Sequence, residues 1–273
     1  MGKALEMLNG FVTAPSTTLT ALTMAAGDTL VVRNAPLDSQ ISLLQAWQDN
    51  QTAGVLRIRS PRLHDNVEGI RLDASASEVK PLLPKRFIQP LIPQDTLTVQ
   101  LSGSATGSDI ESAALLLFYE NLPGISARLI DVATLLANMV NLVTVENTLA
   151  LGTGGGYSGE EALTAEFDQL KANTDYALMG YLVDVECCSV GWRGSDTGNV
   201  RVGGPGDELG RDYTRSWFYD LAFMYQMPMI PVFNSANKDA ILIDGVQDEN
   251  GTDVTVTSIF AQLKAGAVPA APA

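Results

Sequence analysis

The strongest constraint on the fold is that the chain carries one plan twice. Short apolar stretches bounded by Gly, Pro, Asn and Asp recur through both halves, the mark of many short strands. Local matches fall at the same place in each copy. QPLIPQ at 89–94 is echoed by MPMIPV at 227–232, pairing Pro90 with Pro228, Ile92 with Ile230 and Pro93 with Pro231. Leu97, Val99 and Leu101 after Asp95 correspond to Ile241 and Ile243 after Asp239. The final strands, LLFYENL and TSIFAQL, end at Leu122 and Leu263, so the offset between the copies drifts little. The pattern predicts an all-β chain built by duplication.

In the first copy, 19–33 reads as two strands around an Ala-Gly-Asp turn, 54–59 and 96–101 as alternating strands, and 113–119 as a buried strand. Residues 38–52 predict a helix with Ile41, Leu44 and Gln48 on one face, Leu43 and Trp47 beside them, and Asp38 or Ser39 as N-cap. In the second copy, a β-rich stretch at 142–151 leads into a helix predicted over 160–172, capped by Ser158 and Glu161, with Leu163, Phe167 and Leu170 on one face. A strand follows over 176–190 (YALMGYLVDVECCSV), then a Gly-rich excursion to Gly206, and strands at 240–244 and 254–260 close the pattern. ARLIDVATLLANMVNL at 127–142 reads as a connecting helix with Leu129, Val132, Leu136, Met139 and Val140 as its stripe. The expected divisions are a first domain over 1–125, a helical linker over 126–142, a second domain over 143–264 and a flexible Ala/Pro tail over 265–273.

Charge narrows the function. Hydrophobic residues make up 46% of the chain but charged residues only 18%, against roughly 25% in an average domain. So few charges predict a surface largely covered by neighbours. With 17 basic and 31 acidic residues the net charge is −14, and no run of Lys or Arg offers a face for phosphates. The densest group, Arg57, Arg59 and Arg62, is balanced by Asp65 and Glu68. An anionic membrane surface would repel the chain for the same reason. Cys187 and Cys188 are adjacent and give no disulfide framework. The opening MGKALEMLNGFV lacks the basic and apolar regions of a signal peptide, Glu6 spoils a myristoylation match, and no apolar run reaches the ~18 residues of a membrane span. The expectation is a soluble protein made in a cytoplasm.

Candidate chemical sites are sparse. His64 is the one histidine, in the polar loop segment PRLHDN, so a histidine-based metal site or a Ser-His or Cys-His pair is not expected. GYSGE at 156–160 has Glu160 where a nucleophile elbow needs glycine. Cys187 and Cys188 on a strand point to opposite faces and read as small core residues. Gly154, Gly156 and Gly159 form a GxGxxG ahead of the predicted helix, with Asp184 and Glu186 ending a later strand, the order a dinucleotide-binding unit requires. Against it, Glu160 and Glu161 would stand where phosphate should sit, and βα alternation is missing around it. Residues 191–206 read as a long exposed loop in which Asp196 and Asn199 lack calcium-loop spacing. The aromatic run 213–225 alternates in part, with Trp217, Tyr219, Leu221 and Phe223 on one face, fitting a core or a subunit interface.

Two β-domains, each with a helix inserted between strands, resemble the double jelly-roll major capsid proteins of tailless icosahedral viruses, many of them bacteriophages with an internal membrane. QPLIPQDTLTVQLSG and AALLLFYENL carry the likeness in the first domain, and MPMIPVF, DAILIDG and VTVTSIFAQL in the second. The resemblance implies two tandem jelly-roll barrels, each with a short inserted helix, and a homotrimer with a six-sided footprint in a virion. Neighbouring capsomers, minor capsid or vertex proteins and an internal membrane are the implied partners, with no sequence-specific hold on nucleic acid. A structural coat protein, not an enzyme, with no cofactor or metal, is therefore expected. The alternatives are a two-domain glycan- or ligand-binding β-sandwich protein, motivated by Trp192 and Trp217, and a nucleotide-dependent enzyme using Gly154 to Gly159.

Overall fold

The structure is a computed structural model that describes residues 2–13, 17–36, 38–49, 53–61, 63, 67–74, 79–103, 109–152, 154–163, 170–207, 213–247 and 251–268. The first half runs β1 (Gly2–Thr13), β2 (Thr20–Ala21), β3 (Thr23–Met24), β4 (Ile41–Asp49), β5 (Gly54–Arg59), β6 (Ile70–Ala74), β7 (Gln89–Pro90), β8 (Thr98–Ser102) and β9 (Ile110–Leu122). The second runs β10 (Leu129–Ile130), α1 (Val132–Asn138), β11 (Met139–Ala150), β12 (Tyr157–Ala162), β13 (Asp175–Val183), β14 (Cys187–Arg193), β15 (Val202–Gly206), α2 (Trp217–Tyr225), β16 (Ile230–Asn234), β17 (Leu242–Val246) and β18 (Asp253–Leu263). The chain is mainly β, in four antiparallel sheets.

Both halves trace one topology. The first half forms the sheets β3-β1-β9-β4-β7 and β2-β8-β5-β6; the second forms β10-β16-β13-β18-β11 and β12-β17-β14-β15. In each half the first strand pairs with the last, the last with the third main strand, and that strand with the sixth. The second main strand pairs with the seventh, the seventh with the fourth, and the fourth with the fifth. Irregularities recur too. The long ladders end at Gly2↔Leu122 and Met139↔Leu263, each beside a register shift, and β4 and β13 both shift register against the last strand of their half. Leu122 and Leu263, matched from sequence alone, thus occupy the same structural position.

The layers explain the strand sequences. On β9, Ala113, Leu115, Leu117 and Tyr119 enter a core shared with β5 and β8, while Ala114, Leu116 and Phe118 enter the core of the second half. The sheet holding β1, β9 and β4 is therefore covered on both faces, as the unbroken burial of Ile41–Asp49 records. Buried on both sides, β4 shows no period-two alternation, which is why 38–52 reads as a helix and is instead a strand. By contrast β11 alternates cleanly over its second part, because its sheet leaves one face outward.

Other expectations need correction. The predicted helix at 160–172 begins as strand β12, paired antiparallel with β17, and residues 164–169, Phe167 among them, lie outside the described residues. The supposed exposed loop at 191–206 holds the end of β14, a 3-10 turn at Ser195–Thr197 and the fully buried β15. The aromatic run is the helix α2, whose buried Trp217, Phe218, Leu221 and Tyr225 fill the joint between the halves. The connecting helix shortens to α1, capped by the Asp131 carboxylate on Thr134 N–H at 2.7 Å, and from Met139 the chain is strand. Among the described residues the first half carries no α-helix. Val268 is buried against the second core, and 269–273 lie outside the described residues. No described helix is long and apolar enough to cross a membrane.

Candidate functional site: a polar seam between the halves

Where the first half meets β14 and β15, polar side chains replace apolar ones. Trp47, on β4, is fully buried and its indole Nε1 donates to Cys188 O at 2.9 Å and Ser189 Oγ at 3.2 Å. Ser189 Oγ donates to Asn9 Oδ1 at 2.7 Å, and Asn9 Nδ2 donates to Tyr157 Oη at 2.6 Å. Tyr157 Oη and the Asn9 backbone N–H both donate to Asp28 Oδ2, at 2.8 and 2.7 Å. Arg201 closes the chain. Its guanidinium grips Asp244 through Nε and Nη2 at 2.8 and 2.6 Å, lies 3.8 Å from Asp28, and stands 3.4 Å from the Tyr157 ring centroid. Arg193 adds a second cation, ion-paired to Glu160 and 3.7 Å from Asp244.

Strand geometry brings these groups together. Arg201 precedes β15, whose partner β14 also pairs with β17 and so carries Asp244 alongside. Backbone contact draws the first half in: Met7 N–H donates to Arg201 O at 2.8 Å. Gly203 makes that approach possible, since a Cβ there would fall 2.6 Å from the Met7 Cε. Gly155 does the same at the other end, where an added Cβ would fall 2.4 Å from Phe11 Cβ. The glycines that suggest a loop or a nucleotide motif therefore admit one layer to another.

Burial sets the electrostatics. It raises the Asp28 carboxyl from 3.8 to about 6, while the bonds from Asn9 and Tyr157 and the Arg201 charge pull it back. Burial also pushes the Tyr157 phenol well above its usual range, so it stays a donor. For Arg201 burial works against the charge, but the bonds to Asp244 and the nearby Tyr157, Asp244 and Asp28 outweigh it and hold the guanidinium charged. At neutral pH the seam thus buries charge, which is tolerable only because each ion has a partner. Chemically it locks two layers in one register.

The sequence candidates fall elsewhere or into this seam in another role. His64 lies outside the described residues. Cys187 and Cys188 form no disulfide and are fully buried in the core, as read from sequence. Gly154, Gly156 and Gly159 precede or sit in strand β12, so among the described residues the dinucleotide reading finds neither its helix nor its parallel strand; Asp184 instead accepts from Thr255 N–H at 2.6 Å. Asp196 is buried, accepting from Asn234 N–H and lying 3.6 Å from Arg128, itself bidentate to Asp175. Trp192 and Trp217 are buried and donate to Ser258 Oγ and Gly203 O, which removes the motive for the glycan-binding alternative. Among the described residues no three His, Cys, Asp or Glu side chains cluster in metal-binding fashion. The seam itself escapes sequence reading because Asp28 and Tyr157 are 129 positions apart. The one signal was a lone charge in an apolar stretch, Arg201 in NVRVGG and Asp244 in ILIDGV.

No family model and no curated protein matches the chain. Among solved structures, the PBSX exported protein XepA aligns at 11% identity over 93% of this chain and 86% of its own, with a TM-score of 0.28. The major capsid protein P2 from bacteriophage PM2 aligns at 8% identity over 97% of this chain and 99% of its own, with a TM-score of 0.24. At such scores neither likeness lends this chain a fold or a function.

Proposed function

We propose that the chain is a structural coat protein, a double jelly-roll major capsid subunit of a tailless icosahedral virion, acting as a homotrimer and without catalytic activity. The carrying observation is the strand order repeated in both halves, two facing sheets of which each holds four equivalent strands. Eight-stranded double sheets of this kind serve as viral capsid, lectin and cupin domains. A seam of buried ions that fixes one barrel on the other suits a building block that must keep its shape. The surface fits lateral contacts. Leu136, Met139, Val140 and Leu142 are exposed and nearly consecutive, within a run from Val132 to Val145 that contains no charge. Two copies of a chain of net charge −14 approach most easily across such a stretch. Neighbouring capsomers, minor vertex proteins and an internal membrane are the partners in this reading, with synthesis in the host cytoplasm.

Negative-stain electron microscopy of the concentrated chain tests it. Six-sided particles or hexagonal arrays are expected; isolated particles of single-chain size under all assembly conditions would contradict the reading.

A further inference from the structure

A cleft of about 600 Å³ opens where the segment before β7 faces α2, within the ~300–1,000 Å³ of ordinary ligand sites. Its floor is apolar: Leu83, Trp217, Leu221 and Met224. Its rim is cationic, with exposed Lys80, Lys85 and Arg86 against one carboxylate, Asp220, which accepts from Ser216 Oγ at 2.6 Å. Neither Lys85 nor Arg86 forms an ion pair among the described residues. Three cations on one cleft stand out in a chain with 17 basic and 31 acidic residues.

We infer that this cleft is a docking site for an extended peptide segment in which carboxylates alternate with aliphatic side chains. Such a segment meets each requirement at once. Its aliphatic groups cover Leu83, Leu221 and Met224, and its carboxylates face Lys80, Lys85 and Arg86. A simple fatty acid offers one carboxylate to three rim cations, and a nucleic-acid strand leaves the apolar floor uncovered. The inference stands apart from the coat reading, since either can hold without the other.

Isothermal titration of the full chain with acetyl-Leu-Glu-Leu-Asp-Leu-amide tests it. Saturable binding is expected that weakens with salt and is absent for the same peptide with lysines in place of its acids. The exposed double variant Lys85→Glu, Arg86→Glu should fold normally and bind about tenfold more weakly, as reversal of two rim charges predicts. No saturation, equal binding of the lysine peptide, undiminished binding by the double variant, or binding of decanoate in place of the peptide would each overturn the inference. Self-association of the wild type that the double variant abolishes would support it, identifying the segment's owner as a second copy.

Discussion

Trp47 Nε1 donates a 2.9 Å hydrogen bond to the backbone oxygen of Cys188, joining two fully buried residues of opposite halves. The same indole packs edge-on to Trp217 of α2, with ring centroids 6.0 Å apart. One side chain therefore touches two of the elements by which the second half holds the first, β14 and α2, and its removal should be felt throughout the chain.

Trp47→Ala should cost about 3–5 kcal/mol, the usual range for a buried aromatic. Trp47→Phe, which keeps most of the packing but drops the donor, should cost about 1–3 kcal/mol. Urea denaturation followed by far-UV circular dichroism measures both. A cost under about 1 kcal/mol for the alanine variant would show that the joint does not depend on Trp47.

Arg201→Met should be harsher than its exposure suggests. It leaves Asp28 without its cation and Asp244 with only the more distant Arg193, a loss of about 3–5 kcal/mol. Asp244→Leu added to it should recover part of that loss, because one stranded charge is gone. A double-mutant cycle on chemical denaturation reads the coupling, and strict additivity would mean that the pair is not coupled.

Asp28 makes the seam pH-dependent. Its carboxyl titrates near 6 when folded against a usual 3.8, chiefly through burial. The folded state then holds that proton more tightly than the unfolded one. This stabilising contribution is complete below about 3.8 and is lost as pH rises through about 6, worth about 3 kcal/mol. Wild type should thus be less stable than Asp28→Asn at pH 8, with the gap closing toward pH 4. Melting temperatures of the two across that range check it; a constant gap would place Asp28 outside the seam.

Gly155→Ala and Gly124→Ala separate crowding from backbone strain. Both glycines have positive φ, 69° and 71°, but an added Cβ meets Phe11 at the first and open space at the second. Gly124→Ala should cost about 1 kcal/mol from the left-handed backbone alone, and Gly155→Ala distinctly more. Equal melting temperatures for the two variants would contradict the close approach of the 154–156 turn to β1.

Strands with one face outward or partly so were legible by alternation, whereas β9, covered on both faces, was legible only as an apolar run. Leu56 and Ile58 on β5, and Val254, Val256 and Ser258 on β18, alternate with less buried neighbours and keep period two. Ile41 to Asp49 could not be read this way, since both faces are covered and every position is buried. The segment 191–206 misled for a related reason. Its glycines mimic a loop, whereas Gly203 leaves space for Met7 to reach a buried strand. The seam was hidden more deeply, because Asn9, Asp28, Tyr157, Arg201 and Asp244 meet only after both halves have folded and docked.

The most direct test of the assembly claim is the native mass of the purified chain by sedimentation velocity over a wide concentration range. A species of three 29.1 kDa chains, persisting on dilution, is the predicted result. A single 29.1 kDa species at every concentration would contradict the trimeric coat subunit.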